Sequence, residues 1–146
     1  MDARTRVLWL LSALFLGRVV GQALVAFLGV TWLPPMREWY SGLMPYPLLL
    51  PAQIAILALM AVMNVGVQRS RGPLGLVNVR AARFVRAFSC LYFGAIVLRY
   101  VLTVALAPEQ RWFGGTIPIV FHWVLALYLY VWSGFHLARA PKARGE

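Results

Sequence analysis

The first long apolar stretch of the chain, residues 7–33, reads VLWLLSALFLGRVVGQALVAFLGVTWL, and Arg18 is its one charged residue. A helix needs about 20 apolar residues to cross about 30 Å of hydrocarbon, so this stretch is long enough to span a membrane. It lacks the strict alternation of apolar and polar residues that a membrane-spanning strand requires. The stretch therefore predicts a membrane-spanning helix.

Three further apolar segments follow, at about residues 48–67, 87–107 and 117–137. Hydrophobic residues make up 62% of the 146-residue chain and charged residues 12%, whereas soluble domains are about 45–50% apolar and about 25% charged. A small domain buries only about two-thirds of its chain surface, so it could not enclose this many apolar residues. The sequence predicts an all-α integral membrane four-helix bundle, a single domain over residues 1–146, and excludes a soluble enzyme.

Basic residues are concentrated at the N-terminus, in the middle loop and in the C-terminal tail, and the net charge is +10. Because basic residues favour the cytoplasmic side of a membrane, this pattern predicts that both termini are cytoplasmic, as in a protein of the bacterial inner membrane. It favours anionic lipid over nucleic acid as the partner. Arg80, Arg83 and Arg86 recur at every third position and predict a lipid-facing basic stripe on one side of a helix.

The loop after the first segment is rich in proline and aromatic residues, so we expect it to be stiff and to cap the outer end of the bundle. Within the first segment, Gly17 and Gly21 form a GxxxG pair, which favours close approach of another helix. Aromatic residues on the outer side predict an interfacial belt. This belt consists of Trp32, Trp39, Tyr40, Tyr46, Trp112 and Phe113.

Each segment carries its few polar residues on one helical face, and such faces usually point into a bundle or toward a partner. By depth, we expect Arg18, Gln53, Arg99 and His122 to approach one another in the outer half of the bilayer. Asn64, Tyr92 and His136 are expected toward the inner side. The faces carry Arg18 and Gln22, then Gln53 and Asn64, then Tyr92, Arg99 and Thr103, and finally His122 and His136.

Arg18 and Arg99 keep their charge in proteins and therefore need acceptors. Each costs at least about 2.5 kcal/mol at mid-bilayer. The four acids lie outside the predicted spans, which leaves three sources of acceptors open: the chain's own carbonyls with water, a partner's carboxylate, or an anionic or carbonyl-bearing ligand. These acids are Asp2, Glu38, Glu109 and Glu146.

His122 and His136 are the two histidines of the chain. They are about 21 Å apart along one helix, so one lies in each leaflet. This spacing resembles that of dihaem membrane cytochromes b, in which one helix provides a ligand to each of two haems. A homodimer or a partner subunit would then supply the second iron ligands. A structural role for both histidines and a proton relay are the alternatives.

The motif His122-Trp123 followed by Ser133-Gly134 resembles the His-Trp…Ser-Gly helix of b561-type and formate-dehydrogenase-type cytochrome b subunits. The resemblance covers about fifteen residues. It implies a b-type haem with iron ligands at His122 and His136.

The sequence thus predicts a small membrane subunit that binds b-type haem or quinone for electron transfer, in a homo-oligomer or a larger complex. The cofactor-binding candidates are Arg18, Gln53, Arg99, His122 and His136. Two alternatives remain: a non-catalytic accessory or assembly subunit, and a membrane protein that binds a lipophilic ligand. A haem spectrum, copurifying proteins or a bound lipophilic molecule would distinguish the three.

Overall fold

The structure is a computed structural model that describes residues 2–39, 44–70, 78–106 and 116–139. These residues form five helices, and no strand occurs among them. Four of the helices are long and apolar enough to cross a membrane, which agrees with the predicted helical fold. The helices are α1 (Ala3–Leu28), α2 (Met36–Trp39), α3 (Tyr46–Arg69), α4 (Val79–Leu106) and α5 (Thr116–Arg139).

Helix α1 begins and ends earlier than the predicted span of residues 7–33. The Asp2 carboxylate caps its start by accepting a hydrogen bond from the Thr5 backbone N–H at 2.8 Å. Hydrogen bonds from Thr5 lower the pKa of Asp2 from its ordinary value. At the other end Gly29 adopts a left-handed conformation with φ 58°, which ends helices because glycine has no Cβ to oppose it.

Helix α4 begins eight residues before the predicted span of 87–107. The Asn78 side chain accepts a hydrogen bond from the Arg80 backbone N–H at 2.9 Å, as N-terminal capping residues do. The arginine triplet therefore lies within the helix, as its spacing predicted. Arg80 and Arg83 are exposed, whereas Arg86 is half-buried.

The helices pack in the spatial order α3, α1, α5, α4, with α1 between α3 and α5. The first three of these enclose the core, and Val85 of α4 packs against its edge. Tyr128 and Trp132 lie in this core. The other buried core residues are Leu8, Leu11, Phe15, Val19, Met60, Met63, Val67 and Phe135.

Helix α4 packs against α5 along one side and exposes large apolar side chains on the other. Among them are Phe84, Phe88, Leu91 and Leu98. This pattern is the reverse of a soluble helix, whose exposed face is polar. An exposed apolar face of this kind is compatible with a hydrocarbon environment.

Helix α2 packs against α1 and α5 at the Gly29 end of the bundle, where the sequence predicted a cap. The Trp39 indole is buried, and its N–H donates to the Pro34 carbonyl at 2.9 Å. A Cβ on Gly21 would lie 2.7 Å from the Trp39 ring, whereas a Cβ on Gly17 would meet nothing within 4 Å. Gly21 therefore accommodates the Trp39 indole of α2, and no described helix of this chain packs closely on Gly17.

Candidate functional site

Two glutamines from different helices meet near the outer end of the bundle. Gln53 of α3 donates from its amide nitrogen to the Gln22 amide oxygen at 2.9 Å, and Gln22 in turn donates to the Trp39 carbonyl at 3.4 Å. Both glutamines are buried. The Gln53 Oε1 atom accepts no hydrogen bond from the described residues. This buried pair therefore links α1, α2 and α3.

Arg18 lies one helical turn before Gln22 on the same face of α1. Its side chain is 9% exposed, and its guanidinium carbon is 5.5 Å from the centre of the Phe121 ring on α5. Within the part of the chain that the structure describes, the buried Nε atom has no hydrogen-bond partner. Arg18 thus places a charged donor beside the residue that precedes His122.

Tyr92 of α4 and His122 of α5 form a direct hydrogen bond, with the phenol oxygen 2.5 Å from Nδ1. Their rings meet edge to face at an interplanar angle of 83°. This contact differs from the expectation, which put Tyr92 at the inner side, because the phenol reaches along α5 to the histidine. The bond fixes the orientation of the imidazole and engages one of its two nitrogens.

The positive charges of Arg18 and Arg99 both act on the His122 ring. Arg99 is half-buried on α4. We call Arg18, Tyr92, Arg99 and His122 the arginine–histidine cluster. Within it the Tyr92–His122 hydrogen bond joins α4 to α5, and Arg18 of α1 lies beside Phe121, the residue before His122.

Gln22, Gln53, Arg99 and His122 are each six or seven residues from the end of their helix on the α2 side. The contacts between helices compare their levels more directly. Arg18 packs against Phe121, whereas Gln22 lies about one turn nearer the α2 end. The glutamine pair therefore lies about one turn nearer that end than the cluster.

His136 lies apart from the cluster, fourteen residues further along α5. It is buried among aromatic rings, with ring centroids 4.4 Å from Trp132 and 5.3 Å from Phe135. The structure therefore does not bring the two histidines together, because they lie about 21 Å apart along α5.

A second buried polar network joins the three core helices below the cluster. Asn64 donates to the Ser12 hydroxyl at 2.9 Å and accepts from the Tyr128 hydroxyl at 2.8 Å. The same hydroxyl lies 3.1 Å from the Met60 carbonyl oxygen. Sequence reasoning identified Asn64 but missed Ser12 and Tyr128. Ser12 could have been found, because it lies on the same buried face of α1 as Leu8 and Phe15.

No group of three potential metal ligands from His, Cys, Asp and Glu occurs among the described residues. The predicted belt residues Tyr40, Trp112 and Phe113 lie outside those residues, as do Glu109, Lys142 and Arg144.

The chain matches no family model, curated protein or solved structure. The resemblance of His122-Trp123 and Ser133-Gly134 to cytochrome b subunits therefore stays a prediction.

The arginine–histidine cluster offers chiefly hydrogen-bond donors. It contains two guanidiniums, a phenol and an imidazole, and the long helices α1, α3, α4 and α5 carry no carboxylate. Such a set suits a ligand whose polar end has oxygen acceptors, in surroundings that also accept an apolar body.

Proposed function

We propose that this protein is an integral membrane protein with both termini on the cytoplasmic side, and that its arginine–histidine cluster binds the headgroup of a membrane quinone. The membrane part of the proposal is supported by four long apolar helices and by the exposed apolar face of α4. The orientation is supported by the basic residues at the N-terminus and around the start of α4.

The Tyr92–His122 hydrogen bond is the observation that carries the ligand proposal. A phenol and an imidazole held 2.5 Å apart form a pair that can donate to a carbonyl oxygen and exchange a proton with it. Arg18 and Arg99 add positive charge at the same place, which stabilises negative charge developing on a quinone oxygen.

The glutamine pair adds a hydrogen-bond acceptor to a site whose other groups are chiefly donors. The Gln53 Oε1 atom is an acceptor that the described residues leave open. A quinol hydroxyl is a donor that suits this acceptor, and a quinone carbonyl suits the Arg18 guanidinium. Gln22 and Arg18 lie one turn apart on α1, so the glutamine pair and the Arg18 guanidinium are neighbours on one helical face.

A haem held by both histidines fits this structure poorly. His136 is enclosed by Trp132 and Phe135, whereas the hydrogen bond of His122 to Tyr92 leaves its Nε2 atom free. Helix α5 is covered by α1 on one side and α4 on the other, which opposes direct pairing of two α5 helices across a dimer axis. These contacts favour quinone over haem as the cofactor of the proposed subunit. They also favour a separate partner subunit, and not a second copy of this chain, as the protein that exchanges electrons with the bound quinone.

The proposal is tested by titrating a decyl-tailed benzoquinone into the protein in lipid nanodiscs and following saturable quenching of tryptophan fluorescence. Losing one hydrogen bond to a charged or charge-developing group is worth about 1.5–3 kcal/mol, so we expect His122→Gln to weaken binding at least about tenfold. Tyr92→Phe is expected to weaken it in the same direction.

The matched control is His136→Gln, which makes the same chemical change on the same helix outside the cluster. It is expected to bind the quinone as the wild type does. Equal weakening by His122→Gln and His136→Gln, or quenching that does not saturate, would overturn the proposal. A Soret band that disappears in both variants would favour haem instead.

A further inference from the structure

A groove of about 560 Å³ lies at the opposite end of the bundle, between the start of α1 and the end of α5. Arg4 and Val7 of α1, Arg86 of α4, and Tyr130 and Gly134 of α5 contribute to its wall. Neither the arginine–histidine cluster nor the glutamine pair reaches it. The groove is therefore a separate feature on the side where the basic residues are concentrated.

Arg86 turns away from the exposed arginine stripe and into this groove. Its guanidinium carbon is 4.3 Å from the centre of the Tyr130 ring. A Cβ on Gly134 would lie 2.7 Å from its Nη2 atom, so the absence of a side chain at Gly134 makes room for the guanidinium. Its buried Nε atom donates to no acceptor in the described parts of the chain.

Arg4 approaches the same place from α1. Its Nη1 atom is 3.5 Å from the Gly134 carbonyl oxygen, so two guanidiniums converge beside one glycine. Across residues 2–39, 44–70, 78–106 and 116–139, neither arginine forms an ion pair. The nearby Asp2 carboxylate is engaged in capping α1 through Thr5. Two like charges converge beside Gly134, one on the exposed Arg4 and one on the half-buried Arg86, and this arrangement favours a bound anion.

An apolar groove of about 480 Å³ continues from this site between α4 and α5. Tyr130 forms part of the wall of both grooves. From Tyr130 the apolar groove extends ten residues along α5 to Val120, or about 15 Å. Phe93, Trp123 and Leu127 are among its lining residues. A charged end followed by a long apolar channel matches a lipid headgroup followed by an acyl chain.

We propose that an anionic phospholipid binds here, with its phosphate between Arg4 and Arg86 and one acyl chain in the groove between α4 and α5. Basic pockets between membrane helices on the cytoplasmic side commonly bind anionic headgroups. This site differs in its residues from the lipid-facing stripe expected from the sequence. Of that stripe only Arg86 belongs to the site, and Arg4 of α1 joins it. It does not depend on quinone binding at the other end.

The test is native mass spectrometry of the delipidated full-length protein in detergent, with phosphatidylglycerol and phosphatidylcholine added at equal concentration. We expect the wild type to retain phosphatidylglycerol preferentially. Loss of one hydrogen bond to a charged group corresponds to about tenfold weaker binding or more, which we expect for Arg86→Gln. Arg4→Gln is a second variant at an exposed position and is expected to weaken binding in the same direction without affecting folding.

Arg83→Gln is the matched control, since it removes the same charge from the same helix one turn away. It is expected to retain the lipid within about twofold of the wild type, because exposed charges contribute little. Equal losses for Arg83→Gln and Arg86→Gln would overturn the proposal in favour of general surface attraction. Displacement of the lipid by equimolar glycerol 3-phosphate would also overturn it, since the site would then recognise phosphate without an acyl chain.

Discussion

Asn64 of α3 accepts a hydrogen bond of 2.8 Å from the Tyr128 hydroxyl of α5, and both side chains are buried in the core. This bond joins the two outer helices of the three that enclose the core, while Ser12 of α1 completes the connection from between them. Polar residues that pair across helices stabilise a bundle in an apolar solvent, where no water competes for their hydrogen bonds. The network therefore holds the scaffold on which the arginine–histidine cluster is built.

Tyr128→Phe is expected to destabilise the protein by about 0.6–1.7 kcal/mol, the range measured for hydrogen bonds between membrane helices. The change removes the hydroxyl that serves Asn64 and keeps the ring that fills the core. Unfolding in mixed micelles with increasing SDS measures the loss. Tyr130→Phe, which changes an exposed tyrosine of the same helix, is expected to unfold at the wild-type midpoint. Identical midpoints for both variants would contradict the role of the network.

Gly17→Ala and Gly21→Ala are expected to have opposite effects on stability. A Cβ at position 17 meets nothing within 4 Å, so alanine should stabilise α1 by about 0.5–1 kcal/mol through its higher helix propensity. A Cβ at position 21 would lie 2.7 Å from the Trp39 ring, so the indole must move away from Pro34. We expect Gly21→Ala to be less stable than Gly17→Ala and to shift the tryptophan emission to longer wavelength. Equal stabilisation by the two changes would show that the indole does not pack on Gly21.

Asp2 is expected to make the stability of α1 depend on pH in the acid range. Hydrogen bonds from Thr5 lower the pKa of Asp2 from its ordinary value of 3.8. A carboxyl with a lowered folded-state pKa stabilises the fold above its unfolded pKa of about 3.9 and loses that contribution as the pH falls through the folded value. Asp2→Asn retains a capping oxygen without the titration. The wild type should therefore lose stability relative to Asp2→Asn below about pH 4, and a constant difference down to pH 2 would contradict the cap.

Cys90 offers a test of membrane insertion, because it is the one cysteine of the chain and is exposed on α4. It lies eleven residues into the helix, or about 17 Å from its start. A charged maleimide should leave Cys90 unmodified in intact membranes and label it after denaturation in SDS. The control is Arg83→Cys in a Cys90→Ala background, which should react in inverted membrane vesicles and not in intact cells. Ready labelling of Cys90 in membranes would contradict insertion of α4.

Hydropathy predicted the long helices because each is a continuous apolar run, and apolar length is the dominant requirement of a membrane span. The ends differed from the prediction where local hydrogen bonding decided them. Gly29 ended α1 before the apolar run was complete, and Asn78 began α4 among charged residues. Capping of this kind depends on single residues that a hydropathy average does not resolve.

The sequence predicted the depth of the candidate site along the helices better than it predicted which side chains are in contact there. Depth counting placed Arg18, Arg99 and His122 together, because antiparallel helices of known length fix the level of each residue. It did not predict the bond between Tyr92 and His122, since a phenol extends well beyond its own backbone position. Tyr128 was missed because its ring marks it as a bulky aromatic residue, whereas its hydroxyl is the group that completes the buried network.

The central claim is that the arginine–histidine cluster binds a quinone. The most direct measurement is organic extraction of the gently purified protein, with chromatographic quantification of quinone per protein and an absorbance spectrum before and after dithionite. The account predicts nearly equimolar quinone in the wild type, its loss in His122→Gln, its retention in His136→Gln, and no Soret band. Quinone at the level expected from copurified lipid in all three proteins, or a Soret band with reduced α-bands, would contradict it.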